Sequence, residues 1–371
     1  MKIEYITNSR IPTEKARGYQ IIRTCEKFSK MGVDIELVIP NFRNCIKEET
    51  FSYYGVSKNF DIKKYLVIDL KFLNKIFPKF TYLVKQVTFL ISLSFRYLFN
   101  SRELTIYTRE VLIAWYFAKI GYRTIFECHF IPESNQKLFF KLSKKADLII
   151  TNSIGTKDEF LENNFTNVHS CPNGVELNDF DSIQKTKNEL RDELDLSNDK
   201  KIVMYLGHYY TWKGTDILLK AAEKLDNNIE LVLAGGTDLL DKEIINNLSN
   251  IKLVNTKKRD MVAKYLKSAD ILIITANKNS KESIKYTSPI KLFEYLASKV
   301  PVLAPEVESM TNIVTNKEVT FYEVDNVEDL VNKINNILIK NNDKEIENGY
   351  EFVKKFTWEN RVKKILDIIH V

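Results

Sequence analysis

Short apolar, β-branched runs alternate with amphipathic stretches along most of the chain. Residues 2–7, 34–39, 66–70, 104–107, 123–127 and 148–152 read as strands, and 19–31 reads as a helix. Around 178–200 the pattern lapses into a polar, charge-rich stretch holding one short helix. It then restarts, with strands at 201–206, 230–234, 251–254, 271–274 and 302–303 and helices at 214–225 and 260–267. Repeated strand–helix alternation requires a mostly parallel sheet with helices on both faces. The expected architecture is α/β, with two doubly wound domains in tandem: 1–180, a linker at 181–199, and 200–350. The apolar face of 351–371 (Phe352, Phe356, Trp358, Val362, Ile365, Ile368) predicts one amphipathic helix that packs on the second domain or crosses back to the first. Doubly wound domains bind ligands at the carboxyl ends of their strands, so two facing domains would hold a cleft between them.

Residues 80–99 stand apart: thirteen of the twenty are apolar, but Lys85 and Arg96 interrupt the stretch. The uncharged run between them is far below the roughly 20 residues a bilayer-spanning helix needs. Two readings stand. One is a buried helix of the first domain. The other is a helix lying on an anionic membrane surface, helped by Lys71, Lys75, Lys79, Lys85 and Arg96.

The 371 residues allow two to three domains, and 44% apolar with 28% charged residues is ordinary for a globular chain. Charge separates the halves. Residues 1–180 carry 26 Lys/Arg against 19 Asp/Glu (+7), and the remainder carries 29 against 30 (−1). The basic half predicts contact with something anionic. Its cations are not interleaved as in a nucleic-acid-binding module, so nucleic acid is not expected. Four cysteines form no CxxC and no disulfide framework, and the first residues lack a signal peptide's apolar core. A reducing, cytoplasmic location is expected, either free or at the inner face of the cell membrane.

Much chemistry is missing. The glycines contain no GxG, and there is no GxxxxGK[ST], no HExxH and no GxSxG. Nicotinamide redox, Walker-type hydrolysis, zinc chemistry and serine hydrolysis all lose support. No cofactor and no metal is expected.

Three segments of the second half remain. In YLGHYYTWKGTD a strand ends at Leu206, Gly207 permits a sharp exit, and Lys213 and Gly214 open a helix. A cation and free N–H groups at a helix start suit a phosphate, with His208 as a second donor. A plain turn with a solvated lysine is the alternative. In YTSPIKLFEYLASKVPVLA, Thr287 or Ser288 caps a helix that Pro289 opens, and this start is a second anion seat. Glu294 lies one and a half turns further on, where a carboxylate can accept hydrogen bonds from a ribose diol. It could equally be an exposed helix residue, although its apolar neighbours argue that the charge needs a partner. In LVLAGGTD, Gly235 and Gly236 end a buried strand and let a ligand approach backbone, or simply make a tight turn. Together these strand ends offer what a nucleoside diphosphate requires.

On these residues the chain resembles the retaining GT-B glycosyltransferases of family 4. GHYYTWKGTDILLKA is similar to the family's G-(R/H)-L-xxx-KG-x-D-xL-xxA motif, and SPIKLFEYLASKVPVLA to its glutamate-motif helix. KIEYITNSRIPTEKARGYQI looks like the opening strand and loop, and FECHF like the segment carrying the active-site histidine. PNGVELNDF resembles the signature before the hinge, and KKFTWENR the C-terminal helix that recrosses to the first domain. The likeness runs the length of the chain in the right order. It implies a GT-B fold, two Rossmann-like domains facing a central cleft. It also implies transfer of a sugar from a nucleotide-diphosphate-sugar co-substrate to a glycan or lipid-linked acceptor, with retention and without metal, as in surface polysaccharide or glycolipid assembly. By the resemblance Lys213 neutralises the departing diphosphate, Glu294 binds the ribose, His129 contacts the donor sugar, and Gly18 lies in the loop facing the donor. His208 stands where many members have Arg. Tyr286 stands where the family's first Glu contacts the sugar, and Pro289 lacks an N–H that Thr287, Ser288 or the Ile290 N–H would replace. A non-catalytic nucleotide-sugar-binding partner subunit and a sugar-nucleotide epimerase on the same fold are the alternatives.

Overall fold

The structure, a computed structural model, describes all residues except 71–72, 74–75, 98–101, 237–247, 256–258, 289 and 371, and the side chain of Thr211. Cα packing divides it into two compact units. One comprises 1–152, 156–171 and 362–371, and the other 153–155 and 172–361.

The first unit is built on seven parallel strands: β1 (Lys2–Ile6), β2 (Asp34–Pro40), β3 (Asp61–Tyr65), β4 (Thr105–Thr108), β5 (Arg123–Cys128), β6 (Leu148–Thr151) and β7 (Val168–Ser170). Their order in the sheet is β3-β2-β1-β4-β5-β6-β7. The central strands are buried on both faces, as parallel strands between helical layers must be. Phe126, Ile149 and Phe160 fill the core on one side, and Ile6, Phe89 and Phe117 fill another. The second unit repeats the plan with β8 (Lys201–Leu206), β9 (Ile229–Ala234), β10 (Ile251–Val254), β11 (Ile271–Ile273), β12 (Val302–Pro305) and β13 (Thr320–Tyr322), ordered β10-β9-β8-β11-β12-β13. In each sheet the order reverses beside the first strand of the unit. That is the switch point where doubly wound sheets hold ligands.

Several expectations are corrected. The strand expected at 66–70 is instead β3, DIKKY, because the parallel register runs from Glu36 opposite Asp61 to Pro40 opposite Tyr65. Leu66 and Ile68 lie outside the sheet and are exposed. Two three-residue edge strands, β7 and β13, were too short to leave a pattern. The stretch 178–200, expected to hold one short helix, holds two, Asn178–Asp181 and Lys187–Glu193, the second with a full capping box on Thr186 and Glu189. Buried Arg191 on that helix pairs with Asp270 at 2.7 Å, so this segment packs with the second unit. The single helix expected over 351–371 is two, Asp343–Val353 and Trp358–His370. Between them the backbone turns to bond Val175, whose N–H donates to the Phe356 carbonyl at 2.9 Å. Residues 362–371 pack with the first unit, where Arg123 donates to the Ile369 carbonyl at 2.5 Å.

The apolar segment forms the helix Pro78–Tyr97, and the rest of 80–99 lies outside the described residues. Phe89, Leu93 and Tyr97 are buried, whereas Phe80, Leu83, Val87, Ile91 and Phe95 are exposed at spacings of three to four residues. The two readings therefore apply to opposite faces of one helix. Lys71 and Lys75 lie outside the described residues. Arg96 is no surface cation: it pairs with Glu4 and Glu36, each at 2.8 Å. Lys85 is half-buried near the rings of Phe42 and Tyr82. Among the described residues no helix is long and apolar enough to cross a membrane.

Candidate functional site

In the second unit β8 ends at Leu206, and Gly207 leaves it at φ +147°, a conformation L side chains rarely adopt. The backbone then makes a 3₁₀ turn, Thr211–Lys213. Gly214 follows at φ +64°, with the Ala276 carbonyl oxygen where a Cβ would be. The helix begins only at Asp216. Lys213 is therefore at the end of a tight turn and not on the helix start expected for it. Its ammonium lies 5.1 Å from the Tyr210 ring centroid and 5.3 Å from that of Trp212, and the two rings stack at 12°. Burial brings its pKa down from 10.5 to about 8.

The helix Ile290–Ala297 buries Leu292, Phe293, Tyr295 and Leu296. Glu294 is only 2% exposed and ion-paired with Arg259. It is thus not the exposed helix residue that the sequence also permitted. Three residues earlier, Lys291 sends its ammonium back over the Tyr205 ring, 3.6 Å from the centroid. A Cβ at Gly207 would lie 2.6 Å from that Nζ, so Gly207 is needed for space as well as for conformation. Burial holds Lys291 well below the usual lysine pKa, Lys213 adds to the effect, and Glu294 opposes it. No described carboxylate forms an ion pair with either lysine.

Gly235 leaves β9 at φ +128°, and a Cβ there would strike the Gly207 carbonyl oxygen at 2.5 Å. A Cβ at Gly236 would lie 2.4 Å from Nδ1 of His208. These glycines allow two loops to pack against each other at the carboxyl edge of the sheet. Tyr286 is buried at the end of the π-helical turn Glu282–Tyr286. Thr287 and Ser288, expected to replace the N–H that Pro289 lacks, already have partners. The Thr287 hydroxyl donates to the Glu282 carbonyl at 2.6 Å, and the Ser288 Oγ accepts from the Asn173 N–H at 3.2 Å. Asn173 Nδ2 also donates to the Ser288 carbonyl at 2.8 Å, anchoring this segment beside Ile290.

In the first unit His129 follows β5 at its carboxyl end. Its ring contacts Glu127 and the Arg109 guanidinium, and Arg109 pairs with Glu127 at 3.6 Å. Arg109 and Glu127 are both nearly fully buried, so they fix the imidazole's orientation. A cavity of about 720 Å³ opens here, lined by His129, Arg109, Arg17, Glu110, Phe130 and Leu138. Gly18 does not lie in a loop: it is in the first turn of the helix Ala16–Lys30. A Cβ there would be 2.2 Å from the Tyr54 hydroxyl, which bonds the Thr13 backbone through both its N–H and its carbonyl.

Sequence reasoning missed Arg259, Lys291, Arg109 and Glu127. Lys291 carried the same signal as Glu294, a charge among apolar helix neighbours. Arg259 reaches Glu294 from a sequence-distant turn that leaves no local trace. Among the described residues no group of three or more His, Cys, Asp or Glu could hold a metal.

Residues 186–355 match the family Glycosyl transferases group 1. The chain is 30% identical over 175 residues to the uncharacterized glycosyltransferase MJ1178 of Methanocaldococcus jannaschii, covering 44% of this chain and 46% of that protein. It is 28% identical over 145 residues to the putative teichuronic acid biosynthesis glycosyltransferase TuaC of Bacillus subtilis, covering 38% and 34%. The chain thus spans less than half the length of the curated relatives it matches. Among solved structures, Anabaena Alr3699/HepE in complex with UDP-glucose superposes with a TM-score of 0.76 at 15% identity, covering 100% of this chain and 99% of that one. WaaG, a glycosyltransferase involved in lipopolysaccharide biosynthesis, superposes at 0.71 and 12% identity, covering 99% of each. The fold is that of these GT-B glycosyltransferases, two parallel sheets with interleaved helices.

Proposed function

We propose that this protein is a retaining glycosyltransferase that moves a sugar from a nucleotide-diphosphate-sugar donor to a glycan or lipid-linked acceptor without a metal ion. One observation carries the reading. Within the span that matches the group 1 family, Lys213 and Glu294 come to the carboxyl edge of one sheet, and Lys291 is within electrostatic reach of both. Donor binding by Alr3699/HepE, whose complexes hold UDP and UDP-glucose, supports the same use of the shared fold.

In this reading the diphosphate lies against Lys213 and the ribose diol bonds to Glu294, which Arg259 holds in place. As the anomeric bond breaks, negative charge grows on the diphosphate, and the aromatic-walled ammonium of Lys213 stabilises it. His129, oriented by Glu127 and Arg109, contacts the donor sugar. The acceptor hydroxyl attacks from the face the diphosphate leaves and gives its proton to that departing diphosphate, so configuration is retained. The cavity beside His129 accepts the acceptor glycan, and the exposed apolar face of the helix Pro78–Tyr97 rests on the cytoplasmic surface of the membrane that carries it.

A second reading is a nucleotide-sugar-binding partner subunit without turnover. Tyr286, standing where the resembled motif has a carboxylate, is buried and offers none to the sugar. A thermal-shift screen of UDP-, GDP- and ADP-sugars, followed by mass spectrometry with oligosaccharide and lipid-linked acceptors, separates the readings. A glycoside product with the donor's anomeric configuration supports transfer. Binding without product supports the subunit, an isomerised nucleotide sugar supports an epimerase, and failure of every donor to bind removes the site.

A further inference from the structure

We propose that Lys291 is the second cation of the donor site, with its ammonium contacting the same diphosphate as Lys213. This rests on the donor-site reading above and adds a residue to it.

The geometry is specific. Lys291 lies one helical turn before Glu294, and a lysine there could have extended into solvent. Instead the side chain folds back across the Tyr205 ring and places Nζ in the space that the missing Gly207 side chain leaves open. That space is the exit of β8, the strand end from which the Lys213 turn departs. His208, the next residue, packs its ring against Gly236 and lies 5.6 Å from the Tyr210 ring. Where an arginine at 208 would bring a guanidinium to this edge, this chain has an imidazole, and Lys291 supplies a cation from the other side.

The charged groups around Lys291 are few. Lys213 repels it, Glu294 attracts it, Arg259 already engages Glu294, and the Tyr205 hydroxyl donates to the His208 carbonyl. Two half-buried lysines whose ammonium groups repel each other, without an ion-paired carboxylate among the described residues, form a seat for a polyanion. Diphosphate supplies at least two negative charges to this pair. Because burial and Lys213 disfavour its charged form in the empty site, Lys291 gains proton occupancy when the anion arrives.

The test is isothermal titration of the full-length protein with UDP, GDP and ADP at pH 8, in two buffers of different ionisation enthalpy. Lys291→Met keeps the volume and the aromatic contact while removing the charge. The nucleotide that binds wild type is expected to bind this variant at least tenfold more weakly and with fewer protons taken up. Gly207→Ala, which puts a methyl group against Nζ, is expected to weaken binding as well. Thermal midpoints of Lys291→Met at or above wild type show that the fold is intact. Wild-type affinity or wild-type proton uptake in Lys291→Met, with Lys213→Met and Glu294→Gln both weakened, overturns the role of Lys291 alone. Wild-type affinity in all three variants, or no nucleotide binding by the wild type, overturns the donor site and this inference with it.

Discussion

Replacing Lys213 with methionine should make the protein more stable and nearly inactive. Burial lowers the Lys213 pKa from 10.5 to about 8, and each tenfold change is worth about 1.36 kcal/mol. The folded state therefore carries a cost of about 3 kcal/mol for holding this ammonium charged at neutral pH. Methionine fills a similar volume against Tyr210 and Trp212 without that cost. Below pH 8 lysine is protonated in both the folded and the unfolded chain, and the whole cost applies. Between pH 8 and 10.5 the folded protein releases the proton while the unfolded chain keeps it, so wild-type stability rises with pH through that window. The advantage of Lys213→Met should accordingly be largest near pH 7 and shrink towards pH 10. Urea denaturation followed by circular dichroism at pH 7 and pH 9.5 measures the difference. Turnover should fall at least roughly 100-fold, the scale of losing one strong transition-state donor. A variant that is less stable than wild type at pH 7, or one that keeps near-normal turnover, would refute the reasoning.

Three further outcomes are expected. Glu294→Gln should weaken nucleoside diphosphate binding about tenfold or more, because an amide accepts the ribose hydroxyls less strongly and leaves Arg259 without its carboxylate; titration calorimetry reads this. His129→Ala should lower kcat by at least roughly tenfold while leaving nucleoside diphosphate affinity unchanged, because the free nucleotide lacks the transferred sugar that the imidazole would touch; equal losses in both would move His129 out of the sugar site. The double variant Leu83→Ser, Val87→Ser should lose most liposome binding in a flotation assay. With Arg96 engaged by Glu4 and Glu36, the wild-type binding should respond only weakly to salt, so a steep salt dependence would count against an apolar contact.

What the sequence disclosed follows from how each signal is encoded. The central strands were legible because both faces are buried, which writes a continuous apolar run into the chain. At the edge of the first sheet that rule fails: in DIKKY Asp61, Lys63 and Lys64 are exposed, only Ile62 and Tyr65 are half-buried, and Lys63 reaches across to Glu36. Gly207 and Gly235 were recognisable as glycines at strand ends, but their reason is steric and long-range. One makes room for a lysine on a distant helix, and the other for the carbonyl of the first. Gly18 shows the converse. Its place in the opening motif suggested a donor-facing loop, whereas the Tyr54 hydroxyl occupies the position its side chain would take. Pairings such as Arg259 with Glu294, or Asn173 with Ser288, join residues far apart in sequence, and no periodicity announces them.

Glu294 and the two lysines pose one energetic question with two answers in the same helix and loop. Glu294 is almost fully buried but has Arg259 as its counterion, which is how folds ordinarily accommodate a carboxylate among apolar neighbours. Lys213 and Lys291 are held where burial disfavours their charge, and Lys291 is further disfavoured by Lys213. Selection for stability alone would favour methionine or leucine at both positions, since an apolar side chain of similar volume removes the desolvation cost. Their place at the carboxyl edge of a parallel sheet, with Gly207 leaving room for the Lys291 ammonium, fits the proposed donor site, whose stabilising partner would arrive from solution. An anion that binds both ammonium groups turns that cost into affinity. The stability gain on removing either lysine and the affinity loss that accompanies it should therefore appear together, in the same variants and over the same pH range.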